Sequence, residues 1–124
     1  MLLSLSGQRI LSIPKKRQAS YETRMRTLSA WDYLAIMAFF KETLDNATND
    51  ILVSSYLGSI HTPWPPPLDQ IYYACGQSEQ EAGFFFGLLL WQAVIDHGGT
   101  WFFKPADDVE GMVYFRPRRD DSGA

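Results

Sequence analysis

SEQEAGFFFGLLLWQAVIDHGGTWFFKPADDVEGMVYFR, residues 78–116, is the stretch that decides the fold. Ser78 followed three residues later by Glu81 is a capping-box pattern, in which hydroxyl and carboxylate satisfy two amide donors left orphaned at a helix start. From Ala82 to Ile95 only Gln92 is polar. A helix apolar nearly all round has to be packed nearly all round, in a core or against a partner. A membrane span is excluded by length, because it needs ~20 apolar residues and this run reaches about two-thirds of that. Glu79, Glu81, Asp96 and His97 close both its ends. Gly98-Gly99 then stops the helix, and Thr100–Lys104 and Met112–Arg116 read as two strands of a hairpin over residues 100–116. The connecting Pro105–Gly111 carries turn chemistry.

Working upstream, Leu68–Cys75 predicts a second helix, with Pro67 suited to its first turn, Asp69 near its positive end and Gly76 as its stop. Residues 68–97 are therefore a helical hairpin jointed at Gly76-Gln77-Ser78. Before it, residues 59–67 include His61-Thr62-Pro63-Trp64-Pro65-Pro66-Pro67. Consecutive prolines fix φ and remove amide donors, which predicts an extended, polyproline-like connector pinned by Trp64. Pro63 and Pro66 have PxxP spacing, but no basic residue flanks them closely, so the connector role outweighs that of a partner-binding peptide.

Residues 30–57 read as helical. Ser29 and Asp32 mark a start, and Trp31, Leu34, Met37, Ala38 and Leu44 recur near helical spacing to about Asp45. Tyr33, Ile36, Phe39 and Phe40 widen that apolar face. Ile51–Leu57 is too short to type by period. The caps in Asn46–Asp50 and the stop at Gly58 favour a helix there. Residues 15–28 form a polar, basic connector, helix or loop, and residues 1–13 a hairpin of Leu2–Leu5 and Ile10–Ile13 around Ser6-Gly7-Gln8, ended by Pro14. The expected fold is one α+β domain over residues 1–124, with three or four helices packed on a small antiparallel sheet formed by the N- and C-terminal hairpins.

Cys75 is the only cysteine of the 124 residues, so no intrachain disulfide can form. Next to Gly76 it reads as a small buried hydrophobe, and the composition fits a reducing, cytoplasmic location. Residues 1–21 hold Arg9, Lys15, Lys16 and Arg17 without an acid, which keeps a mitochondrial transit segment as the alternative. The net charge of −3 announces no partner, but its distribution is uneven. Residues 1–26 carry six basic side chains against Glu22, and residues 27–104 carry two against eight acidic ones.

No phosphate-binding glycine pattern is present, and no His or Cys cluster has metal-ligand spacing, so neither cofactor nor metal is expected. Asp107, Asp108 and Glu110 lack calcium-loop spacing. Asp96-His97 pairs an acid with a base, yet a His at a helix C-terminus is also what the dipole favours, and capping is preferred. Ser54, Ser55 or Cys75 would have to meet His61 or His97 to form a nucleophilic pair, and no nucleophile elbow places them together. A non-enzyme is expected. Gly83 and Gly87, four apart, would let another backbone approach the long helix closely.

Aromatic residues make up 15% of the chain, more than a core of this size needs, and such excess commonly serves interfaces. The stripe Glu81, Phe85, Leu89, Gln92, Asp96 is the face of the long helix predicted to reach the surface, so charge substitutions at Phe85 and Leu89 should weaken association without unfolding. Trp101 and Phe103, on one side of the hairpin, and Trp64 complete the expected interface. The expected function is binding of a protein partner or self-association, as an inhibitor or accessory factor of phage or mobile-element type. One alternative is nucleic-acid association through Lys15, Lys16, Arg17, Arg24 and Arg26, with Tyr21 available for stacking and a steep salt dependence. A small-ligand pocket lined by Trp and Phe is the other.

Overall fold

The computed structural model describes residues 1–47, 51–53, 64–105 and 112–116. In chain order these form β1 (Leu2–Leu3), β2 (Arg9–Ile10), α1 (Lys15–Met25), α2 (Ala30–Asp45), β3 (Ile51–Val53), α3 (Asp69–Ala74), α4 (Glu79–Asp96), β4 (Trp101–Pro105) and β5 (Met112–Phe115). The fold is small α+β, as its sequence implies.

Helix α4 is the axis of the molecule. Ser78 caps it, its hydroxyl accepting from the Glu81 amide at 3.3 Å. The reciprocal half of the capping box is not made, because the Ser78 amide donates to the Cys75 carbonyl and the Glu81 carboxylate pairs with Arg24 of α1. Ala82, Phe85, Phe86, Leu89, Leu90, Trp91, Ala93 and Val94 are all buried. Tyr21 of α1 packs on Phe85 with ring centroids 6.1 Å apart, Phe40 of α2 meets Phe86 edge-on at 5.4 Å, and the Trp91 indole donates to the Ser12 carbonyl at 3.2 Å. The apolar helix is packed on most of its circumference, while Phe84, 54% exposed, and the nearby Gly83 and Gly87 leave an open strip.

The strand order is β2-β1-β4-β5-β3. The two terminal hairpins do meet, but the sheet is mixed, not antiparallel, since β1 runs parallel to β4 with Leu2 opposite Trp101 and Leu3 opposite Phe102. The Trp101 amide donates to the Met1 carbonyl at 2.9 Å. A hairpin ladder cannot supply that join. It arises because β1 enters next to the first strand of the second hairpin in the same direction.

Two further expectations change, and one open choice is decided. Ile51–Val53 is a strand, paired antiparallel with β5, where flanking caps favoured a helix. The β-branched Ile51 and Val53 suit a pleated edge, and a free edge on β5 supplied the partner. The basic connector is helical over Lys15–Met25. The proline run does not stay extended: the Pro66–Pro67 peptide is cis, and the Leu68 amide returns to the Pro65 carbonyl at 2.8 Å, starting the turn into α3. Pro63 with the PxxP spacing, residues 54–57, the acidic turn at 107–110 and the polar tail from 117 lie outside the described residues.

Candidate functional site

Most of the expected interface lies inside the molecule. Phe85 is 1% exposed and Leu89 0%, because that face of α4 is covered by α1 and the remaining helices. Trp101 is 0% exposed under the guanidinium of Arg116, 4.6 Å from its ring, and Trp64 is buried between Tyr72 and Phe86. Phe103 is half-buried against Trp91, centroids 4.6 Å apart. Gln92 is half-buried and donates to Asp96 at 3.1 Å. The side of the hairpin expected to be an interface is the side turned to the core. Trp101, Phe103 and Tyr114 face the helices, whereas Phe102 and Phe115, stacked at 5.6 Å, lie on the opposite face of the sheet.

Three aromatic side chains stand exposed among the described residues, Tyr73 of α3, Phe84 of α4 and, most open of them, Trp31 of α2. Ile36, Phe40 and Leu44 form the buried row of α2. Diametrically opposite, at helical spacing, Trp31, Leu34, Ala35 and Ala38 stand exposed, Trp31 at 83% and Leu34 at 59%. No other large apolar side chain among the described residues is as open as Trp31. The periodicity of the segment had merged two faces into one apolar stripe. Splitting the pattern into its 36/40/44 and 31/34/35/38 rows would have separated them, since only the second mixes large residues with alanines.

Between α2 and the end of α4 lies a cleft of about 540 Å³, lined by Tyr33, Met37, Lys41, Asp45, Ala93, Asp96, His97, Gly98 and Gly99. Tyr33 is its only aromatic wall besides the edge of His97, so the expected Trp and Phe lining is absent there. His97 pairs not with its neighbour Asp96 but with Asp45 across the cleft, Nε2 to carboxylate at 2.6 Å. Its Nδ1 accepts from the Gly99 amide at 3.0 Å and from the Trp101 indole at 3.2 Å. Two donors on Nδ1 assign the imidazole proton to Nε2, which donates to Asp45. Both ring nitrogens are therefore committed. A general base needs a nitrogen within reach of the proton it takes, and His97 offers none, so it ties α2, α4 and β4 together. Lys41 Nζ, 2.7 Å from Asp45, and His97 together hold the Asp45 carboxyl below the usual carboxylate range. Arg116 completes the tie by donating to the Leu44 carbonyl at 2.6 Å, which caps an α2 terminus that has no basic residue of its own.

The basic N-terminal residues are divided by α1. Arg24 is paired with Glu81, and the Arg17 guanidinium lies 6.0 Å from the Phe84 ring centre, so both lie along α4. Lys15, Lys16 and Arg26 are exposed. Tyr21 is turned inward, and burial followed by its contact with Tyr33 pushes its phenol above the ordinary value. It is unavailable for stacking on a base. Cys75 is 2% exposed and burial raises its thiol pKa. Gly83 and Gly87 receive no close backbone, since a Cβ at either would meet open space. Among the described residues no three His, Cys, Asp or Glu side chains gather as a metal set, and no helix is long and apolar enough to cross a membrane.

No family model matches the chain, and neither a curated protein nor a solved structure is detectably similar to it. The functional reading therefore rests on its own surface.

Proposed function

We propose that this chain is a non-enzymatic protein-binding protein whose contact face is the outward side of α2. The observation that carries this is Trp31, a large rigid side chain 83% exposed on the face of a regular, capped helix, with Leu34, Ala35 and Ala38 continuing the same apolar row. Isolated exposed apolar residues are ordinary, but a contiguous helical row headed by Trp is the form of a contact anchor. The cleft beside it is lined by a fully bonded His97, and among the described residues no nucleophile meets a free base there, which supports binding over catalysis. Nucleic-acid association has less support, with Arg24 paired to Glu81, Arg17 over the Phe84 ring and Tyr21 half-buried against Phe85.

A photo-cross-linking residue placed at Leu34 tests the reading in cells or lysate, with the same residue at Glu22 of α1 as control. A discrete protein adduct at position 34 and none at position 22 is the expected result. No adduct at position 34 removes α2 as a contact face.

A further inference from the structure

We infer that the occupant of the α2 face is a second copy of this chain, packed antiparallel across a two-fold axis between Leu34 and Ala35; this rests on the reading above that the face is a contact. The warrant is the size order along the row. Reading outward, it runs Trp31, Leu34, Ala35, Ala38, large residues in the first half and small ones in the second. When such a row is laid on itself in reverse, Trp31 of one protomer falls over Ala38 of the partner subunit, and Leu34 falls beside Ala35 of the partner subunit. Every bulk meets a space. The parallel arrangement would set Trp31 against its own copy and leave the alanines facing a gap, which loses the contact that packing requires. Isologous pairing needs one patch to be self-complementary, and this one is.

Charge follows the same direction. Antiparallel packing carries Glu42, exposed on the C-terminal half of the row, towards the N-terminal end of the partner helix, where the dipole is positive and Arg26 is exposed. Lys41 on the same half stays with Asp45 of its own chain at 2.7 Å, so it brings no unpaired like charge to the contact. Ser29 caps that N-terminal end, its hydroxyl accepting from the Asp32 amide at 3.1 Å, so α2 presents a regular first turn to its neighbour. The four side chains supply roughly half of the ~800 Å² per partner of a standard stable interface. So small a contact makes a dimer in exchange with the monomer.

A size swap tests the pairing and its register. Sedimentation equilibrium from ~1 μM to ~1 mM should show a monomer–dimer equilibrium for the unaltered chain, the range being that expected of small, transient interfaces. Trp31→Ala should weaken it at least about tenfold by removing the anchor, and Ala38→Trp should do the same by filling the space the anchor needs, each near the 1.4 kcal/mol that a tenfold change represents. The double variant W31A/A38W, with bulk and space exchanged, should return close to the original constant. Both positions are exposed, so circular dichroism should show native folds throughout. Monomer at every concentration, or a dimer that the swap fails to restore, overturns the inference. In the cross-linking experiment, an adduct of mixed mass overturns the second-copy assignment while leaving α2 as a contact face. Absence of any adduct removes both.

Discussion

Replacing His97 with alanine should destabilise the fold by about 3 kcal/mol, and the structure says where that number comes from. His97 Nδ1 is the acceptor for two N–H groups, the Gly99 amide at 3.0 Å and the Trp101 indole at 3.2 Å. Each donor left without a partner costs ~1–3 kcal/mol when buried. Trp101 is 0% exposed, so its indole should sit near the upper end, whereas the cleft beside Gly99 can admit a water and lower the second cost. The sum, about 3 kcal/mol, corresponds to a fall of ~10 °C in Tm for a domain of this size. Urea unfolding followed by tryptophan fluorescence measures it directly. Asp45→Asn, which keeps an acceptor for Nε2, should cost less than His97→Ala. Because the Asp45 carboxyl is held below its ordinary value near 3.8, its contribution is complete above that value and is lost as the pH falls through the lower folded one. A His97→Ala variant within ~0.5 kcal/mol of the parent, the usual scatter of surface substitutions, would refute the cross-tie and reopen His97 as a functional base.

Four other outcomes follow from the packing. Leu89→Asp should abolish cooperative unfolding, since Leu89 is fully buried; a folded, merely dissociated variant would return α4 to the surface. Gly83→Ala and Gly87→Ala should each raise stability by ~0.5–1 kcal/mol, because a methyl at either meets open space and glycine is a poor helix former, and a loss in thermal melting would show a hidden close contact. Cys75 should react with a disulfide reagent only at the rate of unfolding, being buried with its thiol pKa raised; rapid stoichiometric labelling of the native protein would contradict this. Burial pushes the Tyr114 phenol above its ordinary value of 10, so the unfolded chain ionises first and stability should be lost as the pH rises past 10. A titration at 295 nm with a full-amplitude step near 10 and no loss of structure would show Tyr114 to be solvated.

The helices were legible because their signals are local. Ser78 before Glu81, and Ser29 before Asp32, specify where α4 and α2 begin without reference to anything distant. The Ala82–Ile95 run, polar only at Gln92, implied that α4 is buried, but that single polar residue marks the Phe85–Leu89 stripe, whereas the side chain the structure exposes is Phe84. Phe85 and Leu89 were chosen by the flanking Glu81 and Asp96, and those residues are exposed only where the helix ends emerge. The parallel β1–β4 pairing joins residues about a hundred positions apart, and no local pattern encodes it. The same holds for Asp45 and His97, each unremarkable alone, which meet because α2 and α4 end side by side. Trp31 is the instructive miss. Its hydrophobicity set it in the same apolar pattern as Leu44, and the two residues fall on opposite sides of α2.

The parallel join of β1 to β4 sets an order of events during synthesis. Leu2–Leu3 is made well before its neighbour at Trp101–Phe102, which arrives only after α1, α2 and the whole of α4. At ~5–20 residues per second that interval is ~5–20 s, during which the first hairpin has one bare edge and α4 has no sheet to lie on. Helices α1 and α2, whose packing partner α4 also comes late, have mainly their own local hydrogen bonds until then. Sheet closure waits for Trp101–Phe102, and a nascent chain stalled before Gly98 exposes an apolar helix and an open strand together, the two surfaces that chaperones recognise and that aggregation exploits.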